Sequence, residues 1–319
     1  MIVATYNRSN VLRHALESLV RQTYTDWEAL VVGDACTDDS EHVVSAFADR
    51  RIRWLNLEHN FGDQSGPNSV GARLACGTYL AWLNHDDLWL PEHLAFLVAE
   101  ARRYRADFVA TGFVAVGPHE PESLAAGRIS AELWNPERQH SLRPERFYPA
   151  STWLVHRELV RSIGDWRRPG ELRAVPSQDV VYRCWASGAR MIATGRPTVI
   201  AIQSGRFEGA YANRRSLEHE ALAPRVAAES ADALLESLLL SSHASQAPLR
   251  DRVARARLQR QMPSKVARAL ARHTAMPVAA RLGLGPHEFL GWLDRRSRGA
   301  IMADLRRRRG LVDPTSDGG

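Results

Sequence analysis

The 319-residue chain has a formal net charge of +6, with 45% hydrophobic and 24% charged residues, a mixture that fits a soluble globular protein and excludes a disordered or fibrous one. Three cysteines (Cys36, Cys76, Cys184) with no CxxC pair exclude a disulfide framework and a zinc cluster, and they fit a reducing cytoplasm. No run approaches the ~18 apolar residues that span a bilayer, and no apolar leader with a cleavage site opens the chain, so a cytoplasmic location is expected.

In chain order, short apolar β-branched runs alternate with helical patterns. Residues 1–5 (MIVAT), 27–33 (WEALVVG), 52–57 (IRWLNL) and 78–83 (TYLAWL) predict strands, whereas 9–22, 38–50 and 88–103 predict helices, the last with Pro91 near its first turn. Residues 116–148, rich in Pro, Glu and Arg and poor in periodicity, predict a loop or lid. A further strand is expected over Pro197–Ile202. From about Arg215 the pattern turns to Ala/Arg/Leu helices over Leu217–Ser242, Leu249–His273 and His287–Arg309. The alternation predicts an α/β fold with a mixed, mostly parallel sheet flanked by helices, followed by an α-helical C-terminal extension.

Charge divides the chain at the same place. Residues 1–210 hold 23 basic and 25 acidic side chains, and residues 211–319 hold 19 and 11, so the whole positive excess belongs to the helical part. Arginine supplies 41 of the 42 basic residues, Lys265 being the lone lysine, a bias of the kind a GC-rich genome produces.

In open α/β sheets ligands bind beyond the carboxyl ends of the strands, so polar residues just after each apolar run are the candidates. After the first strand stand Thr5-Tyr6-Asn7-Arg8, with Ser9 or Asn10 expected to cap the following helix. After the second comes Gly33-Asp34, with Thr37 or Asp38 free to cap the next helix and Asp39 read as a turn former. After the fourth comes Asn84-His85-Asp86-Asp87. Adjacent carboxylates at a strand end are costly without a cation, and a hard divalent metal holding phosphate oxygens meets that need. His85 reads as a solvent-facing loop residue, because no second histidine stands at zinc-ligand spacing. There is no GxSxG elbow, GxGxxG turn or GxxxxGK[ST] loop, which removes the serine hydrolase, Rossmann dehydrogenase and P-loop readings.

Residues 2–8 (IVATYNR) resemble the opening strand and PTYNR turn of the family 2 glycosyltransferases. Residues 32–40 (VGDACTDDS) are similar to their second strand and DDGSTD turn. Asn60-Phe61-Gly62, Gly71-Ala72-Arg73 and Gly77 to Asp87 resemble the stretch leading to their metal-binding carboxylates. Ser162 to Trp166, followed by Gln178-Asp179-Val180-Val181-Tyr182-Arg183, resembles the signals of their acceptor half. The resemblance covers about 200 residues in the right order and implies a GT-A (nucleotide-diphospho-sugar transferase) catalytic domain over 1–210. Its donor-binding half would span about 1–105 and its acceptor half about 106–210, with the basic helical region over 211–319.

The resemblance also implies roles. Asp34 would accept the imide N–H of uracil, with Thr5 nearby, and Tyr6, Asn7, Arg8 and Arg73 would serve the donor nucleotide. Asp86 would contact ribose or diphosphate, Asp87 would ligate Mn2+ or Mg2+ directly with Asp86 beside it, and Asp179 would act as general base in an inverting transfer from a UDP-sugar to a carbohydrate or natural-product acceptor. Ala4, Gly33, Asn84 and Gln178 depart from the family pattern. Gln178 removes a like charge beside Asp179, which by itself lowers the pKa of that base. Trp153 or Trp166 is expected to reach the acceptor cleft next to Gln178. Arg206 stands where many members place a histidine near the diphosphate, and it would make a charge-assisted phosphate contact. A catalytically silent sugar-nucleotide-binding or scaffold protein, or a nucleotidyltransferase of similar topology, are the alternatives.

Residues 250–309 hold 16 basic and 4 acidic side chains. Such a stretch fits peripheral contact with anionic lipid at the inner face of the membrane, or packing on the catalytic unit or on a second copy of the chain, which is favoured. Nucleic acid is set aside, because no recognised module and little aromatic interleaving are present.

Overall fold

The computed structural model describes residues 1–172, 174–203, 208–244, 306–307 and 309–311. Strand β1 (Ile2–Thr5) pairs in parallel with β2 (Ala29–Gly33), which pairs in parallel with β3 (Ile52–Asn56). Helices α1 (Ser9–Val20) and α2 (Ser40–Ser45) form the crossovers. Apolar residues of α1 at helical spacing, Val11, Leu12, Ala15, Leu16 and Leu19, are all buried.

The chain continues through α3 (Ser65–Leu74), β4 (Tyr79–Ala81), β5 (Asp87–Trp89), α4 (His93–Tyr104), β6 (Phe108–Val116), α5 (Pro121–Ala125) and β7 (Ala131–Trp134). The described elements then run through β8 (Trp153–His156), α6 (Arg157–Ile163), α7 (Pro176–Ala186), β9 (Met191–Ile202), α8 (Leu217–Ala228) and α9 (Ala231–Ala244). A second sheet has the order β4-β8-β6-β9-β5, with β7 on β6. Only β6 and β9 run parallel there. The sheets meet where Ile2 bridges Trp82 and the Leu83 amide donates to the Ile2 carbonyl at 3.0 Å. That junction sets the tips of β1 and β2 beside the loop after β4.

Because strand side chains alternate faces, Val3 and Val31 enter one core with α1 and α4, whereas Ile2 and Val32 enter another with Trp82, Trp153, Trp166 and α7. A third core packs Leu222 of α8 and Leu234 and Leu238 of α9 against Leu88 and Ile200. The change of charge at residue 211 therefore falls inside one packed body.

Several sequence expectations need correction. The helix expected over 217–242 is two helices, with Pro224 inside α8 and a break at Glu229 and Ser230 between them. Residues 116–148 are more than a loop: β7 pairs with β6, and Trp134 stacks on Phe113 with centroids 5.8 Å apart. Neither Ser9 nor Asn10 caps α1. Asp38 does so from the next loop, its Oδ2 accepting from the Ser9 amide at 3.0 Å while Oδ1 accepts from the Ser40 amide at 3.1 Å, so one carboxylate satisfies first-turn donors of two helices. Arg206, the expected helix over 249–273, most of that over 287–309, and the lipid or second-copy contacts assigned to them lie outside the described residues. Among the described residues no helix is long and apolar enough to cross a membrane.

Candidate functional site

The tips of β1 and β2 and the loop after β4 converge on a cleft of about 290 Å³. Asp34, on the residue after β2, lines it. The Phe61 and Gly62 amides donate to its two oxygens at 2.8 and 3.0 Å, and Asn60 Nδ2 donates to its carbonyl at 3.1 Å, which explains the Asn-Phe-Gly run. Burial pushes the Asp34 carboxyl up to about 6, partly countered by those two amides. Asp63, also lining the cleft, is pushed up to about 6 by burial. Gly33 has a steric reason: a Cβ there would stand 2.5 Å from Asn56 Oδ1 and 2.7 Å from the Trp54 ring. That Asn56 side chain in turn clasps the backbone of Cys36 through both of its polar atoms.

Thr5 and Tyr6 line the cleft as expected, and Thr5 Oγ1 is buried without a hydrogen-bond partner. Asn7 and Arg8 are not among the lining residues. Asn7 adopts φ 46° and accepts from the Thr37 amide at 2.8 Å, tying the first strand-end loop to the second. Arg8 is fully buried and donates to the carbonyls of Ala210 and Arg215 at 3.2 and 2.8 Å, so it fastens a distant turn to β1. Arg73 points away to an exposed ion pair with Asp165.

The adjacent carboxylates divide. Asp86 lines the cleft, and its carbonyl accepts from Nε2 of buried His219 at 3.0 Å. Asp87 opens β5, is buried, and accepts from Ser151 Oγ at 2.5 Å, Asn84 Nδ2 at 2.8 Å and the Ile202 backbone. Burial, then the charge of Asp86, pushes Asp87 up to about 7. Both of the side-chain hydrogen bonds to Asp87 fall on its Oδ2; Asp87 is not among the residues that line the cleft, and of the two Asp86 is the carboxylate that lines it. His85 is no solvent-facing loop residue. It is buried, its Nδ1 donates to the Ala4 carbonyl at 3.2 Å, and its Nε2 accepts from Tyr211 Oη at 3.2 Å. Burial lowers its pKa to about 4, so the ring is neutral and the tautomer follows from the two partners.

On the opposite wall stand Phe147, Pro149, Val175 and Ser177. Asp179, two residues beyond Ser177 in the first turn of α7, is 1% exposed and lies behind that wall. Its Oδ2 accepts from Arg183 Nε at 2.8 Å, and Oδ1 lies 3.6 Å from Arg167 Nη1 without a hydrogen bond. Gln178 Nε2 donates to the Pro144 carbonyl and bears on the loop, not the cleft. Neither Trp153 nor Trp166 reaches the cleft. The indoles of Trp82, Trp153 and Trp166 lie 5.8 to 5.9 Å apart in a mutually packed triplet, where burial of three large rings outweighs exposing one to solvent.

Sequence reasoning missed Asp63, Tyr211, Arg306, Arg309 and Leu311, all of which line the cleft. Tyr211, Arg306, Arg309 and Leu311 carry no local signal, because they arrive from outside the strand-end loops, whereas Asp63 directly follows the Asn60-Phe61-Gly62 run in the loop between β3 and α3. Among the described residues no group of three or more His, Cys, Asp or Glu side chains could by itself hold a metal ion.

The family model described as Glycosyl transferase family 2 matches residues 1–164. The chain is 28% identical over 109 residues to the Escherichia coli UDP-Glc:alpha-D-GlcNAc-diphosphoundecaprenol beta-1,3-glucosyltransferase WfgD, covering 34% of this chain and 43% of that protein. It is 28% identical over 165 residues to the glycosyltransferase EpsJ of Bacillus subtilis (strain 168), covering 50% and 47%. The chain thus spans less than half the length of these relatives. Among solved structures, S. aureus TarS 1-349 in complex with UDP-GlcNAc aligns with a TM-score of 0.54 at 20% identity, covering 76% of this chain and 72% of that one. The same fragment in complex with UDP aligns with a TM-score of 0.54 at 18% identity, covering 97% and 86%. These likenesses identify the fold as GT-A, as the sequence led one to expect.

Proposed function

The chain belongs to glycosyl transferase family 2, and on that premise we propose that it moves a sugar from a nucleotide-diphospho-sugar, a UDP-sugar by preference, to a hydroxyl of a carbohydrate or natural-product acceptor. The observation that carries this reading is that Asp34 and Asp86, from two separate strand ends, face one cleft. Asp34, held by two backbone amides, keeps lone pairs for the imide N–H of a uracil. The UDP and UDP-GlcNAc named for the TarS structures support that choice of base.

A hard cation of the Mg2+ or Mn2+ type is usually held by one or two carboxylates, with substrate phosphates completing its shell. Asp86, which lines the cleft, fits that role, whereas Asp87 is buried and does not line it. When bound, the metal supplies charge stabilisation to the departing diphosphate. Asp87, pinned by Ser151 and Asn84, instead fixes the backbone that presents Asp86.

Asp179 is the general base in this reading. As the acceptor oxygen bonds to the anomeric carbon and the bond to diphosphate breaks, the hydroxyl proton passes to the carboxylate and configuration inverts. The Oδ1 of Asp179, which accepts no hydrogen bond, supports this role, and access requires Ser177 and the Arg167 guanidinium to yield to the acceptor. The Asp179–Arg183 ion pair favours a second reading, in which donor is bound without turnover. Incubation with UDP-sugars and Mn2+ separates them: UDP release in the wild type, lost in Asp86→Ala, is expected for the transferase. Saturable donor binding with no release under any acceptor would support the silent reading.

A further inference from the structure

Arg306, Arg309 and Leu311 sit on the cleft more than 200 residues after the strand ends that form it. The Leu311 amide donates to the Arg306 carbonyl at 3.0 Å, and Gly310, at φ +73°, closes the turn. The Tyr211 amide donates to the Arg309 carbonyl at 3.2 Å. At one end of the cleft Arg306 donates to the Gly62 carbonyl, on the loop whose amides hold Asp34. At the other end the Arg309 guanidinium lies 5.7 Å from the centroid of Tyr211, whose hydroxyl binds His85.

Arg306 and Arg309 are the cationic side chains among the described residues that line the cleft; the other charged lining groups are Asp34, Asp63 and Asp86, and His85 is neutral. Arg309 makes no side-chain hydrogen bond or ion pair among the described residues, and its Nε is buried without an acceptor. A guanidinium that makes no hydrogen bond to the described residues, and whose Nε is buried without an acceptor, keeps its donors for a ligand that brings acceptors into the cleft. Its neighbourhood of Tyr211, His85 and Asp86 is the end where the donor's phosphates would lie.

We infer that Arg309 is a donor-binding residue that takes a non-bridging oxygen of the nucleoside diphosphate, and that Arg306 anchors the segment carrying it to the Asp34 loop. This rests on reading the cleft as a nucleotide-sugar site. The basic C-terminal region then contributes to the site directly, and Arg306 acts as a positioning residue.

Calorimetric titration of the full chain with uridine and with UDP tests it. A charge-assisted contact to phosphate is worth roughly 1.5–3 kcal/mol, or about a 10- to 100-fold change in Kd. Arg309→Ala is expected to weaken UDP by that factor while leaving uridine unchanged, with Arg309→Lys recovering part of the loss. Arg306→Ala is expected to weaken uridine and UDP alike, because it loosens the loop that presents Asp34. Wild-type UDP affinity in both Arg309 variants overturns the inference while leaving the nucleotide reading intact. Failure of the wild type to bind either ligand overturns the nucleotide reading, and this inference with it.

Discussion

The two walls of the cleft differ in which of their polar groups face the shared space: Thr5, Asp34 and Asp63 line it, and Asp179 does not. On the donor wall, Thr5 Oγ1 and the carboxylate of Asp34 face a shared space without being fully matched by the protein, and burial drives Asp34 and Asp63 well above the ordinary carboxylate range. On the other wall Asp179 Oδ2 accepts from Arg183 while its Oδ1 accepts no hydrogen bond, and Trp153 and Trp166 pack on Trp82 with the Trp82 and Trp153 N–H groups buried. Groups whose protonation is unsettled by burial cluster at functional sites. On the proposed reading, ligand recognition belongs to the wall that carries Asp34 and Asp63, and the other wall is mostly a scaffold in front of Asp179.

The sharpest way to break that division is Asp179→Asn. As a general base it contributes ~10²- to 10⁴-fold, so kcat is expected to fall by that factor with UDP affinity unchanged. A variant that instead lost stability while retaining kcat would make Asp179 a partner of Arg183 and nothing more. Next in size is Trp153→Ala, a fully buried truncation expected to cost about 3–5 kcal/mol, read as a lowered Tm with donor affinity intact. An unchanged Tm with a raised acceptor KM would return the indole to the cleft. Smaller again is pH. The Asp34 carboxyl titrates at about 6 in the folded protein, so its acceptor form dominates above that pH and is lost as pH falls through it. UDP affinity should drop about tenfold per unit below about pH 6, and Asp34→Asn should bind weakly without that slope. The same slope in the variant would assign it to another group.

How much of this was legible in the sequence differs residue by residue. Asp34, Asp86, Thr5 and Tyr6 were found because a strand-end rule is local: it needs only the position where an apolar run stops. That Asp86 lines the cleft and Asp87 does not was not found, because consecutive residues entering a strand point to opposite sides. Which one faces the cleft depends on the pairing of β5 with β9, where Asp87 stands opposite Ala201. Arg8 was expected to serve the donor nucleotide from its place in the motif, but its guanidinium is taken by two carbonyls about 200 residues away. The tryptophans were ambiguous for a related reason, since an indole suits a sugar face and a core equally, and only the meeting of β8 with the loops around Trp82 and Trp166 decides. Arg309 and Tyr211 reach the cleft through long-range packing, which no periodicity encodes.

The central claim is that Asp34 and Asp86 together form a nucleoside-diphosphate site. Titration of wild type, Asp34→Ala and Asp86→Ala with UDP in the presence of Mn2+ tests it most directly. One saturable site in the wild type, weakened at least about tenfold in each variant, is the predicted result. No saturable binding in the wild type, or equal affinity in all three proteins, would contradict it.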